Sequence, residues 1–175
     1  MTEPLFLDTD CLSTFLIVQR ENIILQLYAG RIGIPRQVYV ELRKVRFMKD
    51  RVDALLKGNR VLLYQITAGT DSGDLYLKLT TNPDKGYKLI GSGEAAAIVL
   101  AKECNGILGS NNMRDILPYI QLYNLKHRTS ADIMAEALEQ HLISEGQGNA
   151  IWRDMRYRNR KLPTDTFTQF LASRK

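Results

Sequence analysis

Short apolar runs separated by helix-patterned sequence constrain this chain more than any other feature. Leu5-Phe6-Leu7 halts abruptly at Asp8, GRIGIP ends at Pro35, RVLLYQIT begins at Arg60, and NGILGSNN carries Ile107-Leu108-Gly109 into a polar end. The first of these reads as a fully buried strand, and the others as further short strands of a sheet. Helical apolar spacing fills the gaps: Cys11 to Ile17, Ile23 to Leu27, RQVYVELRKV from Arg36, FMKDRVDALLKGN from Phe47, and residues 93 to 104. Parallel pairing needs crossover connections, and intervening helices supply them. The expected fold class is therefore α/β, a three-layer arrangement with a mainly parallel central sheet flanked by helices.

Local signals set the element ends. Pro35 is placed to open a helix, Gly58 to close one, and Thr129 or Ser130 to cap ADIMAEALEQHLI. Residues 68 to 91 mix turn formers with apolar residues and read as a loop or a short helix. Pro118 within MRDILPYIQLYNL is tolerable in a helix only in the first turn. After Ile143, SEGQGNA reads as a break or hinge, dividing a domain over 1–145 from a basic helical extension over 146–175. Thr164 or Asp165 is expected to cap a last short helix packed through Phe167, Phe170 and Leu171.

With 45% hydrophobic residues in 175, the chain has material for one full core. Its net charge of +5 accommodates a polyanionic partner without demanding one. Cys11 and Cys104 lack both metal-ligand spacing and the dense pattern of a disulfide scaffold, so reduced thiols and a cytoplasmic location are expected. The apolar start of MTEPLFLDTD is broken by acids, and no run approaches the length of a membrane span.

The acids carry the functional signal. Ligands of parallel α/β folds bind beyond the carboxyl ends of the strands, where Asp8 and Ser110-Asn111-Asn112 fall. Glu41 lies on or beside the apolar stripe of its helix, three residues after Val38 and four before Val45, and needs a salt bridge, for example with Arg43 or Lys44, or a metal. Glu94 stands at the entrance of GSGEAAAIVLA, where Ser92 can cap the helix and an acid complements its dipole. Asp115 serves either as a fourth acid or as a helix N-cap. Should Asp8, Glu41, Glu94 and Asp115 converge, their repulsion calls for a divalent cation. Oxygen ligands suit Mg²⁺ or Mn²⁺, and phosphodiester hydrolysis is the chemistry such clusters serve.

On these residues the chain resembles the PIN-domain ribonucleases, in particular those related to the toxins of toxin-antitoxin pairs. LFLDTDCL is similar to the family's opening strand and acid and implies a catalytic role for Asp8; IPRQVYVEL points likewise to Glu41, and GEAAAIVLA to Glu94. HRTSADIMAEAL resembles the family's final strand and helix, so the likeness runs from about residue 4 to residue 143. ILGSNN departs from the pattern, with Asn111 or Asn112 where the family has an aspartate. An asparagine carbonyl still binds a hard cation but brings no charge, which leaves Asn112 or Asp115 to complete the site and Asp10 as a further acid nearby. The resemblance implies a metal-dependent ribonuclease acting on single-stranded RNA, an antitoxin partner and a homodimer; the departure leaves open a degenerate module that binds nucleic acid or protein without cutting. In the C-terminal extension, Arg153, Arg156, Arg158, Arg160 and Lys161 are interleaved with Trp152 and Tyr157, a pattern suited to phosphate contacts and base stacking. The alternative is a solvated basic face over a packed aromatic one.

Overall fold

The structure is a computed structural model and describes residues 3–174. Its elements follow the order β1 (Leu5–Leu7), α1 (Thr9–Ile17), α2 (Glu21–Leu27), β2 (Ile32–Pro35), α3 (Arg36–Leu42), α4 (Arg46–Lys57), β3 (Leu62–Tyr64), α5 (Asp71–Thr81), α6 (Ser92–Glu103), β4 (Ile107–Gly109), α7 (Met113–Tyr123), β5 (Lys126–Arg128), α8 (Ser130–Glu139), α9 (Glu145–Tyr157) and α10 (Phe167–Ser173). The five strands form one sheet in the order β3-β2-β1-β4-β5. Every pairing is parallel.

Strand alternation divides the core into two layers. Leu5, Leu7, Ile32, Ile34 and Ile107 pack with α1, α2, α8 and the C-terminal helices; Phe6 and Leu108 pack with α5, α6 and α7. Helix α6 is buried at Gly93 and from Ala95 to Ala101, and its run of alanines lets it lie close against the sheet. The middle strand β1 is fully buried and pairs with β4 in the register Leu5↔Ile107, Phe6↔Leu108 and Leu7↔Gly109. From β1 the chain builds outward through β2 and β3 on one side and β4 and β5 on the other. That reversal opens a crevice at the carboxyl ends of β1 and β4.

The structure decides several local expectations. Residues 71 to 81 form a helix, capped by the Thr70 hydroxyl, which accepts from Gly73 N–H at 3.1 Å. Pro35 is the last residue of β2 and the N-cap of α3. Pro118 lies inside α7, beyond its first turn. It is exposed, as is Arg114, whose carbonyl loses its helical donor, so water can replace the missing bond. SEGQGNA does not break the chain: Ser144 caps α9 in a reciprocal pair with Gln147, at 3.2 Å and 2.8 Å, and the helix runs on without interruption. The last helix is capped by Thr166, whose hydroxyl accepts from Gln169 N–H at 3.2 Å, while the Thr164 carbonyl is engaged by Trp152 Nε1 at 3.0 Å.

Trp152, Met155 and Phe167 are wholly buried and belong to the same cluster as β1 and α1. The Trp152 ring lies 5.5 Å from both Phe167 and Phe170. The C-terminal helices are thus packed on the sheet's helical layer rather than suspended from it.

Candidate functional site

The crevice gathers most of the acids singled out by the sequence. Asp8 is the first residue past β1 and the N-cap of α1, with Oδ1 accepting from Cys11 N–H at 2.7 Å. The side chain is wholly buried, and Oδ2 has no hydrogen-bond partner. Burial pushes its carboxyl from 3.8 up to about 7; Ser110 and the Cys11 N–H oppose the rise, while Asp10 and Glu94 add to it. The Ser110 hydroxyl lies near enough to favour the carboxylate without meeting hydrogen-bond geometry at Oδ2.

Glu41 is held by neutral donors. Its Oε1 accepts from Ser92 Oγ at 2.6 Å and Gly93 N–H at 3.1 Å, and its Oε2 accepts from Thr9 Oγ1. Among the described residues it forms no salt bridge, so the pairing with Arg43 or Lys44 is corrected. Gly93 makes this clasp feasible: a Cβ there would lie 2.7 Å from Thr9 Oγ1 and 2.9 Å from Glu41 Oε2. The Ser92 hydroxyl, turned to Glu41, does not cap α6; Gly91 occupies that position. Thr9 and Gly93 are site residues that sequence reasoning missed, although both adjoin acids it selected.

Asparagine amides organise the other carboxylates. Asn112 Nδ2 donates to Glu94 Oε1 at 2.7 Å and to Asp115 Oδ2 at 3.0 Å. Asn111 Nδ2 donates to Asp10 Oδ2 at 3.0 Å, while its carbonyl accepts from Ser130 N–H at 2.8 Å. Asp115 lies within the first turn of α7 rather than capping it, and Asn112 and Lys88 hold its carboxyl below the usual range. Asp115 therefore joins the site only through Asn112 and does not line the cleft of about 290 Å³ formed by Asp8, Asp10, Glu41 and Glu94. Spread over these partners, the side chains form no ready-made group of three or more metal ligands among the described residues.

Arg160 lines the same cleft, with Nη1 3.5 Å from Asp10 Oδ1. The other basic candidates are placed differently. Arg153, Arg156, Arg158 and Lys161 are exposed; Arg156 pairs with Asp165, and Lys161 lines a neighbouring pocket of about 280 Å³ with Asn111 and Met113. Trp152 is packed away from any base, whereas Tyr157 is 83% exposed. A larger cavity of about 600 Å³ lies between α5 and α6 and contains none of the cleft's acids.

No protein-family model and no curated protein sequence matches the chain. A solved structure, that of FitAB bound to an IR36 DNA fragment, contains a chain similar in fold, with a TM-score of 0.50 and 12% identity over 72% of this chain and 94% of that one. The fold is PIN-like. A chain of DNA-bound VapBC from Salmonella typhimurium aligns with a TM-score of 0.48 and 15% identity over 74% and 99%. The crevice at β1 and β4 brings Asp8, Glu41 and Glu94 to one cleft and leaves Asp115 behind Asn112. Cys11 and Cys104 are free thiols, and among the described residues no helix is long and apolar enough to cross a membrane.

Proposed function

We propose that this chain is a divalent-metal-dependent ribonuclease that hydrolyses phosphodiester bonds in single-stranded RNA, with Asp8, Glu41 and Glu94 holding Mg²⁺ or Mn²⁺. The observation that carries the reading is Asp8 Oδ2, buried in the cleft wall without a hydrogen-bond partner. Folding such an oxygen away from water is costly unless a cation meets it. The side-chain oxygens that line the cleft with it are carboxylates of Asp10, Glu41 and Glu94 and hydroxyls of Thr9 and Ser13, which suit hard cations rather than zinc.

A bound divalent ion supplies Lewis acidity toward the phosphate and a lowered pKa for the attacking water. The chain does the positioning. Cys11 N–H fixes one oxygen of Asp8, Asn112 aims Glu94, and the Thr9, Ser92 and Gly93 donors fix Glu41 between α1 and α6. The exposed arginines of the C-terminal segment supply phosphate contacts along the strand. Cleavage of labelled single-stranded RNA in Mn²⁺ tests the proposal; it should stop with EDTA and with Asp8→Asn. Cleavage that survives either treatment refutes it.

A second reading, a PIN-like module that binds nucleic acid or a partner protein without cutting, is favoured by Asn111 and Asn112. Their amides give Asp10, Glu94 and Asp115 neutral partners in place of a cation. RNA retained in EDTA and left intact in Mn²⁺ would select it. The likeness to a chain of the FitAB–DNA assembly supports extending the first reading to a toxin with an antitoxin partner. Homodimerisation belongs to the same proposal. Growth arrest on overexpression, relieved by the neighbouring gene, tests the partner, and sedimentation tests the dimer.

A further inference from the structure

Rigid placement distinguishes Arg160 from the other cations near the C-terminus. Helix α9 closes in a Schellman turn: Asn159 is left-handed (φ 59), its N–H donates to the Arg156 carbonyl at 2.9 Å, and the Arg160 N–H donates to the Met155 carbonyl at 3.0 Å. Met155 is wholly buried, so the turn is anchored to the core. The Arg160 side chain is only 22% exposed, and its Nε is buried without a hydrogen-bond partner. Asp8 Oδ2, buried and equally unpartnered, belongs to the same cleft. A positive and a negative group, each with unused hydrogen-bonding capacity, thus share about 290 Å³.

We infer that Arg160 is the cleft's resident cation and competes there with the divalent metal. The inference rests on the reading of the cleft as a metal site. A dication entering beside Asp8 and Glu94 meets a guanidinium at short range in a partly desolvated space, where like charges repel strongly. It also takes the charge of Asp10 away from Arg160 as the carboxylates reorganise. Because the Schellman turn fixes the backbone, the guanidinium yields by side-chain rotation. A phosphate offers it a bidentate partner better than one contact at 3.5 Å, so nucleic acid draws Arg160 off the acids and favours metal entry.

Calorimetric titration of the full chain with MnCl₂ alone tests the competition, comparing wild type with Arg160→Gln, Arg160→Lys and Lys57→Gln. Lys57 is exposed at the end of α4 that leads into the amino end of β3, away from the carboxyl ends of β1 and β4 where the cleft lies, and controls for net charge. Arg160→Gln should bind Mn²⁺ about 2- to 5-fold more tightly than wild type, the scale of a partly exposed ion pair. Arg160→Lys should stay close to wild type, and Lys57→Gln should not differ from it. Equal affinity in wild type and Arg160→Gln, or an equal gain in Lys57→Gln, overturns the competition and leaves the metal site standing. No Mn²⁺ binding by any of the proteins overturns the metal site and the inference together.

Discussion

Asp8→Asn should stabilise the metal-free protein, and by an amount that grows with pH. Burial raises the Asp8 carboxyl from 3.8 to about 7, so the folded state keeps its proton over a range in which the unfolded chain has lost it. Wild-type stability is therefore fully present below the unfolded value and is lost as pH rises toward the folded one. At about 1.4 kcal/mol per pKa unit, the loss is roughly 1.6 kcal/mol by about pH 5 and roughly 4 kcal/mol by about pH 8. Asparagine has the same shape, keeps the oxygen that caps α1 through Cys11 N–H, and does not titrate. Its amide group takes the place of Oδ2 and adds a cost of its own, but one independent of pH.

The gap between variant and wild type should consequently widen by about 3 kcal/mol from about pH 5 to about pH 8. Urea unfolding of both proteins in EDTA at a series of pH values measures it. Adding Mn²⁺ at the upper pH should stabilise wild type and leave Asp8→Asn where it was, since the ligand favours only the fold that binds it. A gap that stays flat across pH would refute the assignment of Asp8 as a buried acid short of partners.

Trp152→Ala removes a wholly buried indole, its contacts with Phe167 and Phe170, and its bond to the Thr164 carbonyl; about 3–5 kcal/mol should be lost in urea unfolding, with the C-terminal helices loosened first in hydrogen exchange. Glu41→Gln replaces one of the two oxygens that hold Thr9, Ser92 and Gly93, and a thermal melt should report a cost of about 1–3 kcal/mol. Changing Arg156, Arg158 and Arg160 together to Ala should weaken binding to single-stranded RNA and flatten its salt dependence, measured by fluorescence anisotropy. An unchanged slope would show that the phosphates lie elsewhere.

What the sequence revealed depended on range. Leu5-Phe6-Leu7 stopping at Asp8, and Ile107-Leu108-Gly109 stopping before Ser110, marked buried strands and the carboxyl edge of the sheet, because polarity changes there within one residue. Asp8, Glu41, Glu94 and Asp115 could be grouped from their places at strand ends and helix starts, and the motifs shared with a known family favoured the first three. The competition among local donors could not be read. Ser92 is as good a cap as any serine, yet its hydroxyl is taken by a glutamate 51 residues away. Ser144 looked like the start of a flexible stretch because glycines follow it, and only the pairing with Gln147 and the packing of Trp152 make a helix of it. Asn112 read as a lost acid, whereas its amide joins Glu94 to Asp115, a geometry fixed by the approach of α6 and α7. Arg160 was one basic residue among several until the turn after α9 directed it toward Asp10.

The position of Arg160 in the chain gives the cleft a history as well as a shape. Every acid of the cleft, and Asp115 behind Asn112, is made by residue 115, and the guanidinium that pairs with Asp10 follows 45 residues later, the difference between positions 160 and 115. At about 5–20 residues per second, the ribosome leaves an interval of roughly 2–9 seconds between the two. A nascent chain therefore carries its full complement of carboxylates before it owns their counter-charge, and translation past α9 is the step that completes the site.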